Sequence, residues 1–104
     1  MSSAHRIIWS ERALSELAAI AEYIAQDAPM TAARWEAGVR RNVQSVLPFP
    51  SGLPLYDADG GRDDLRKVLH GKYVIVFRVT ASAVDVLTVF DGRRHLSALP
   101  PPEA

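Results

Sequence analysis

The sequence predicts an α+β domain: an N-terminal strand, an antiparallel helical hairpin, then a three-stranded antiparallel β-meander. Three observations carry that expectation. Apolar residues recur at steps of three and four through the first half of the chain, which is helical periodicity. From Leu65 onward, β-branched and aromatic residues dominate in short runs parted by polar turns, which is the pattern of strands. Between the two regions lies PFPSGLPLYDADGGRDD, residues 48–64, which fits neither period.

Residues 5–9, HRIIW, form the β-rich opening run, and it ends at Ser10. A serine there caps a helix by accepting from a free amide of the first turn, and Glu11 complements the helix dipole. Leu14, Leu17, Ala18, Ala21, Ile24 and Ala25 then make one apolar face, with Glu11, Ser15, Glu16, Glu22 and Gln26 opposite. Pro29 disfavours helical geometry at Ala28, so this helix stops near Gln26 or Asp27. A second helix begins at about Met30–Ala32, with Thr31 as its cap, and buries Ala32, Trp35, Val39, Val43 and Val46. Pro48 and Pro50 end it. The short link between the helices forces them back on each other.

Residues 48–64 form a long connecting loop, a length that marks loops as functional or mobile. Leu65–Leu69 is the next strand, and His70-Gly71-Lys72 supplies a turn with a glycine available for positive φ. Tyr73–Val79 places Tyr73, Ile75, Phe77 and Val79 on one face, and Val84–Phe90 runs back after Thr80-Ala81-Ser82. Both strands are apolar on two faces, so they belong in the sheet's centre, with helices covering one side. The N-terminal strand can join only by non-local pairing. Residues 1–96 make one domain, and 97–104, with its three consecutive prolines, reads as an extended tail.

The chain has 104 residues, no cysteine, and 12 basic against 12 acidic residues. One modest core is expected, with no disulfide or thiolate metal site. His5, His70 and His95 have no ligand spacing, and DADGGRDD lacks the alternating ligands and final glutamate of a calcium loop, so neither metal nor cofactor is expected. With no apolar run long enough for a membrane and no leader-like start, a cytoplasmic location is expected. Charge is uneven: residues 65–95 hold Arg66, Lys67, Lys72, Arg78, Arg93 and Arg94 against Asp85 and Asp91. That excess is smaller than dedicated nucleic-acid binders carry.

The order WSERALSEL, then Ala21, Tyr23 and Ile24, then Ala28-Pro29, then LRKVL…YVIVFRV and VFDGRR resembles the RelE/ParE superfamily of type II toxins, and within it the ParE-like branch. The likeness spans about residues 5–94. It implies a βααβββ fold, an antitoxin that wraps the toxin, and one of two activities: poisoning of DNA gyrase or cleavage of messenger RNA on the ribosome. RNA cleavage needs proton acceptors and donors with cations around the phosphate. In that reading Arg66, Lys67, Arg93, Arg94 and His95 would act. Yet Val74 stands where the nucleases often have a second arginine, Asp91 stands where many relatives have histidine, and no tyrosine follows Tyr73. Zero net charge also gives little attraction to ribosomal RNA. The expectation is therefore a gyrase-directed toxin without catalysis of its own or sequence-specific nucleic-acid binding. The alternatives are a ribosome-dependent endoribonuclease and a non-toxic relative that only binds antitoxin.

Arg66, Asp91, Arg93 and Arg94 are the expected target-binding residues, since arginine forks suit carboxylates and phosphates. The competing structural expectation is that Arg93 or Arg94 pairs with Asp91, Asp63 or Asp64 and fastens the loop; Arg66 competes as a strand residue on the solvated face. Leu14, Leu17, Ala21 and Trp35 are expected to border the antitoxin groove. Trp9 and Trp35 are expected core anchors, and Arg78 a structural residue near a strand end.

Overall fold

The computed structural model describes residues 6–56 and 64–93. The elements run β1 (Arg6–Trp9), α1 (Glu11–Ala25), α2 (Pro29–Gln44), a 3-10 turn (Pro50–Gly52), β2 (Leu65–His70), β3 (Tyr73–Val79) and β4 (Ala83–Asp91). The four strands form one sheet in the order β1-β4-β3-β2. The last three are an antiparallel meander, and β1 joins at the edge by parallel pairing with β4, the non-local closure expected of it. His5 and the expected tail lie outside the described residues.

Ser10 sets the start of α1. Its hydroxyl accepts from the Ala13 amide at 2.9 Å and donates to the Leu87 carbonyl at 3.1 Å. One side chain therefore caps the helix, a contribution of about 1 kcal/mol, and ties it to β4. α2 starts at Pro29 rather than at Met30–Ala32. Ala28 is the non-helical N-cap residue, at φ −149° and ψ 79°, and makes no side-chain cap, so Thr31 is not the cap. Proline at the first helical position has no amide to satisfy and its φ already suits the helix.

The buried stripe of α1 is rotated from the expected one. Ala13 and Leu17 are in the core, while Leu14 is 41% exposed. Glu16 accounts for the difference: it turns toward the sheet instead of water, for the reason given below. In α2 the expected Ala32, Val39 and Val43 are buried, and Val46 is buried as well, two residues past the end of the helix. Trp9 and Trp35 are half-buried at the margin of this core rather than inside it. Arg40 lies over the Trp9 ring and Trp35 meets Tyr73 edge-on, with centroids 5.1 Å apart.

The helices cover the face carrying Ile75, Val86 and Val89. On the other face Leu65, Val76, Leu87 and Phe90 pack together with Tyr56 beside them. Two buried faces explain why β3 and β4 read as continuous apolar runs. At roughly 1.5–3 kcal/mol for each large apolar side chain removed from water, these central strands supply most of the fold's cohesion. Part of the 48–64 loop is built rather than free: Leu55 pairs with Arg66 across the β2 edge, and the Tyr56 amide donates to the Leu65 carbonyl at 3.0 Å.

Candidate binding site at the end of β4

β4 outruns its neighbour. β1 accompanies it from Ala83 to Val86 and then gives way to Ser10 and α1. A bulge follows immediately, because Phe77 pairs with Val86 and Val76 with Thr88, leaving Leu87 extra. An added residue shifts which groups face each side. Beyond the bulge the Val89 amide points to the outer edge, where Glu16 Oε1 accepts from it at 2.9 Å and from the Thr88 hydroxyl at 2.7 Å. Arg12 Nε donates to the second oxygen at 3.1 Å. A glutamate at that helical position thus occupies one rung of a missing strand.

Further out the edge opens into a cavity of about 450 Å3. Its α1 wall is Ala19, Ile20 and Tyr23, its floor is Val89 and Phe90, and its mouth holds Lys72, Asp91 and Arg93. Tyr23 is 70% exposed. Gly71, at φ +60°, makes the β2–β3 turn that brings Lys72 and Tyr73 alongside Asp91, a conformation glycine adopts at no steric cost.

Asp91 and Arg93 form a closed unit. Arg93 donates to the carboxylate through Nη2 at 2.8 Å, Nε at 3.1 Å and its own backbone amide at 2.9 Å. Lys72 Nζ is 3.8 Å from the same group. The Arg93 guanidinium, then its amide, then the charge of Lys72 hold the Asp91 carboxyl well below the usual carboxylate range. Burial, reinforced by Asp91, pushes the Tyr73 hydroxyl up. Two cations share one carboxylate, so the mouth carries net positive charge.

The structure does not bring the expected residues together. Arg66 faces the helix side of the sheet, where Nη1 donates to the Leu53 carbonyl at 2.9 Å, and so fastens the 3-10 turn. Its strand neighbour is Phe77, whereas Asp91 neighbours Tyr73. Arg66 and Asp91 are therefore about 13 Å apart along the strands and about 10 Å across them, at ~3.3 Å per residue and ~4.8 Å per strand. Lys67 occupies the opposite face from Arg66 by strand alternation. Arg94 and His95 lie outside the described residues. Arg78 pairs with Asp85 at 3.9 Å, the structural role expected of it.

Of the residues expected to border the antitoxin groove, Leu17 is core at 1% exposure and cannot itself be a contact. Leu14 is exposed, and Ala21 and Trp35 are half-buried. Glu16, Tyr23, Lys72 and Tyr73 are among the cavity residues that sequence patterning left out of the site. Glu16 read as a solvated helix residue, and only the early end of β1 beside a longer β4 marks it. Among the described residues no group of three or more histidines or acids could hold a metal ion, and no helix is long and apolar enough to cross a membrane.

A mixed four-stranded sheet under a helical hairpin, with a charged cavity beside a half-open central strand, defines a small α+β domain of the RelE/ParE kind. Residues 7–96 match the family model described as "ParE toxin of type II toxin-antitoxin system, parDE", and the chain belongs to that family. Among solved structures it is similar to a chain of "Chromosomal ParDE TA system from P. aeruginosa", with a TM-score of 0.69 at 15% identity, over 82% of this chain and 92% of that one. At that identity the likeness is one of fold. No individually curated protein matches the chain significantly.

Proposed function

We infer that this ParE-family chain is held in check by an antitoxin and, when released in the cytoplasm, stops growth by binding DNA gyrase rather than by cutting RNA. The observation that carries this reading is the separation of Arg66 from Asp91 and Arg93. Metal-free RNA cleavage needs its proton carriers and cations around one phosphate, and these arginines are two strands apart and separated along the length of the sheet. The chain's zero net charge also lacks the long-range attraction that docking into ribosomal RNA exploits. The exposed Arg93 and Lys72 instead suit the carboxylates of a protein target.

Controlled expression of the chain alone tests the reading. Growth arrest with induction of the DNA-damage response and gyrase-linked chromosome breaks is expected. Arrest with cleavage of ribosome-bound messages and intact chromosomes would overturn the gyrase assignment. Unimpaired growth would overturn toxicity itself.

A further inference from the structure

We propose that the outer edge of β1 is a self-association edge, on which two copies of this chain pair their β1 strands antiparallel about a two-fold axis at Ile8. The pairing is independent of what the released chain targets, so its test does not stand or fall with the function above.

The backbone defines the edge. β1 ends the sheet, and among the described residues no strand lies beyond it. The Arg6 and Ser10 amides donate inward, to the Ser82 and Val86 carbonyls. By alternation Ile8 also points inward, and the amides and carbonyls of Ile7 and Trp9 point outward. The sheet's other edges are guarded. Along β2 the Lys67 amide donates to Pro54, the Leu65 carbonyl accepts from Tyr56, and Asn42 donates to the Leu69 carbonyl. Along β4, past the end of β1, Glu16 accepts from Val89. β1 has no such partner among the described residues. Free edges are usually blunted by charge, proline or a bulge, and RIIW carries only Arg6.

Register singles out the occupant. Antiparallel strands exchange two hydrogen bonds at every second residue pair. Setting Ile7 opposite Trp9 of the second copy, and Trp9 opposite Ile7 of the second copy, uses all four outward groups of each strand. Sliding one strand by two residues in either direction keeps only one such pair within β1. In the full register Ile8 meets itself on the axis, where non-hydrogen-bonded partners have Cα atoms about 4.5 Å apart. Ile8 is 43% exposed in the single chain. It lies on the face away from the helices, because Ile7 and Trp9 pack on the core beneath them. On the helix face Ile7 meets Trp9 of the second copy, a β-branched and aromatic cross-strand pair, and Arg40 already holds that ring at 5.4 Å. Arg6 comes opposite Ser10 rather than its own counterpart, so the one charge of the strand faces no like charge. The strand is complementary to itself.

The full chain in solution supplies the test. Sedimentation equilibrium over a concentration series should show a reversible monomer–dimer equilibrium. Amide exchange at Ile7 and Trp9 should slow at least tenfold in the dimer. Ile8→Lys and Ile8→Glu each set like charges on the axis and should weaken the dimer at least tenfold, while the thermal midpoint of the dilute chain stays in place. Mixed in equal amounts, the two variants should pair again as a heterodimer, a rescue that only a position facing itself produces. The chain has no cysteine, so Ile8→Cys should cross-link to its own copy under mild oxidation, its Cα spacing lying within disulfide reach. Ile7→Cys, two residues out of register with its copy, should not. A chain that stays monomeric at every concentration reached would overturn the proposal. So would a dimer that Ile8→Lys leaves intact, because self-association would then use another surface.

Discussion

Glu16 and Val89 are joined by a bond that ordinarily belongs to a sheet: a helix carboxylate 2.9 Å from a strand amide. The same oxygen takes the Thr88 hydroxyl, and Thr88 is the one buried polar residue among those described. Glu16 therefore closes a polar gap that β1 is too short to reach.

Glu16→Ala removes the acceptor of two largely buried donors and should cost roughly 2 kcal/mol, since a buried donor left unpaired carries its full desolvation penalty. In a chain of this size that lowers the thermal midpoint by on the order of 8 °C. Glu16→Gln keeps a carbonyl oxygen and should recover most of the loss. Chemical denaturation of both variants checks this, and equal losses would mean that the charge, through Arg12, matters rather than the hydrogen bonds.

Arg93→Ala should abolish growth inhibition while leaving the thermal midpoint within about 2 °C of wild type, because solvent-exposed ion pairs add little stability. Plate growth and a thermal scan on the same variant decide it. A midpoint that falls sharply would assign Arg93 to fastening the strand end instead.

Arg66 is expected to behave in the opposite way. Arg66→Ala removes the donor to the Leu53 carbonyl, at a cost of about 1–2 kcal/mol, and frees the segment that pairs with β2. Exchange at the Tyr56 and Lys67 amides, both bonded across that edge, should quicken before the rest of the sheet responds. Toxicity should fall only as far as folded protein does. Loss of toxicity in a fully folded Arg66→Ala variant would return this arginine to the target-binding surface.

Much of this fold was legible because hydrophobic period and turn chemistry agreed. Ser10, Gly71 and the faces of Tyr73–Val79 all fall where local rules put them, whereas Pro29 opens α2 instead of preceding it. The α1 face was misread by one position because periodicity counts apolar residues, and Glu16 is polar yet faces the sheet. The bulge at Leu87 escaped for a related reason: β4 is apolar on both sides, so an extra residue leaves no break in the pattern. The cavity depends on where β1 stops relative to β4, a pairing between residues far apart in sequence that no local signal encodes. Asp91 next to Arg93 was visible as a pair, and the structure adds that Lys72 joins them across the turn.

The two ends of the pH range should report on this corner separately. Asp91 is ionised in the fold to below the ordinary carboxylate range, whereas an unfolded aspartate titrates near about 4. Its stabilising effect is thus complete above that pH and is lost as pH falls through the folded value. Tyr73 is shifted the other way: its effect is complete below about 10 and is lost as pH rises past the folded value. Asp91→Asn should flatten the acid limb of a midpoint-against-pH curve and Tyr73→Phe the alkaline limb. Limbs unchanged in both variants would place the responsible groups elsewhere.

The contact between Gly38 and His70 makes a prediction about how α2 meets the β2–β3 turn. A Cβ at Gly38 would lie 3.1 Å from His70 Cε1 and 3.2 Å from Nε2, too close unless the ring gives way. Asn42 restrains that ring: Nδ2 is 3.2 Å from His70 Nδ1 and donates to the Leu69 carbonyl at 3.0 Å. Gly38→Ala gains about 1 kcal/mol of helix propensity but must push the restrained ring, so alone it should change stability little. In a His70→Ala background the obstruction is gone and the same substitution should show its full gain. The double-mutant cycle therefore yields a coupling of about 1 kcal/mol, measured by urea denaturation. Additivity to within about 0.3 kcal/mol would mean that the turn is not seated on α2 in solution.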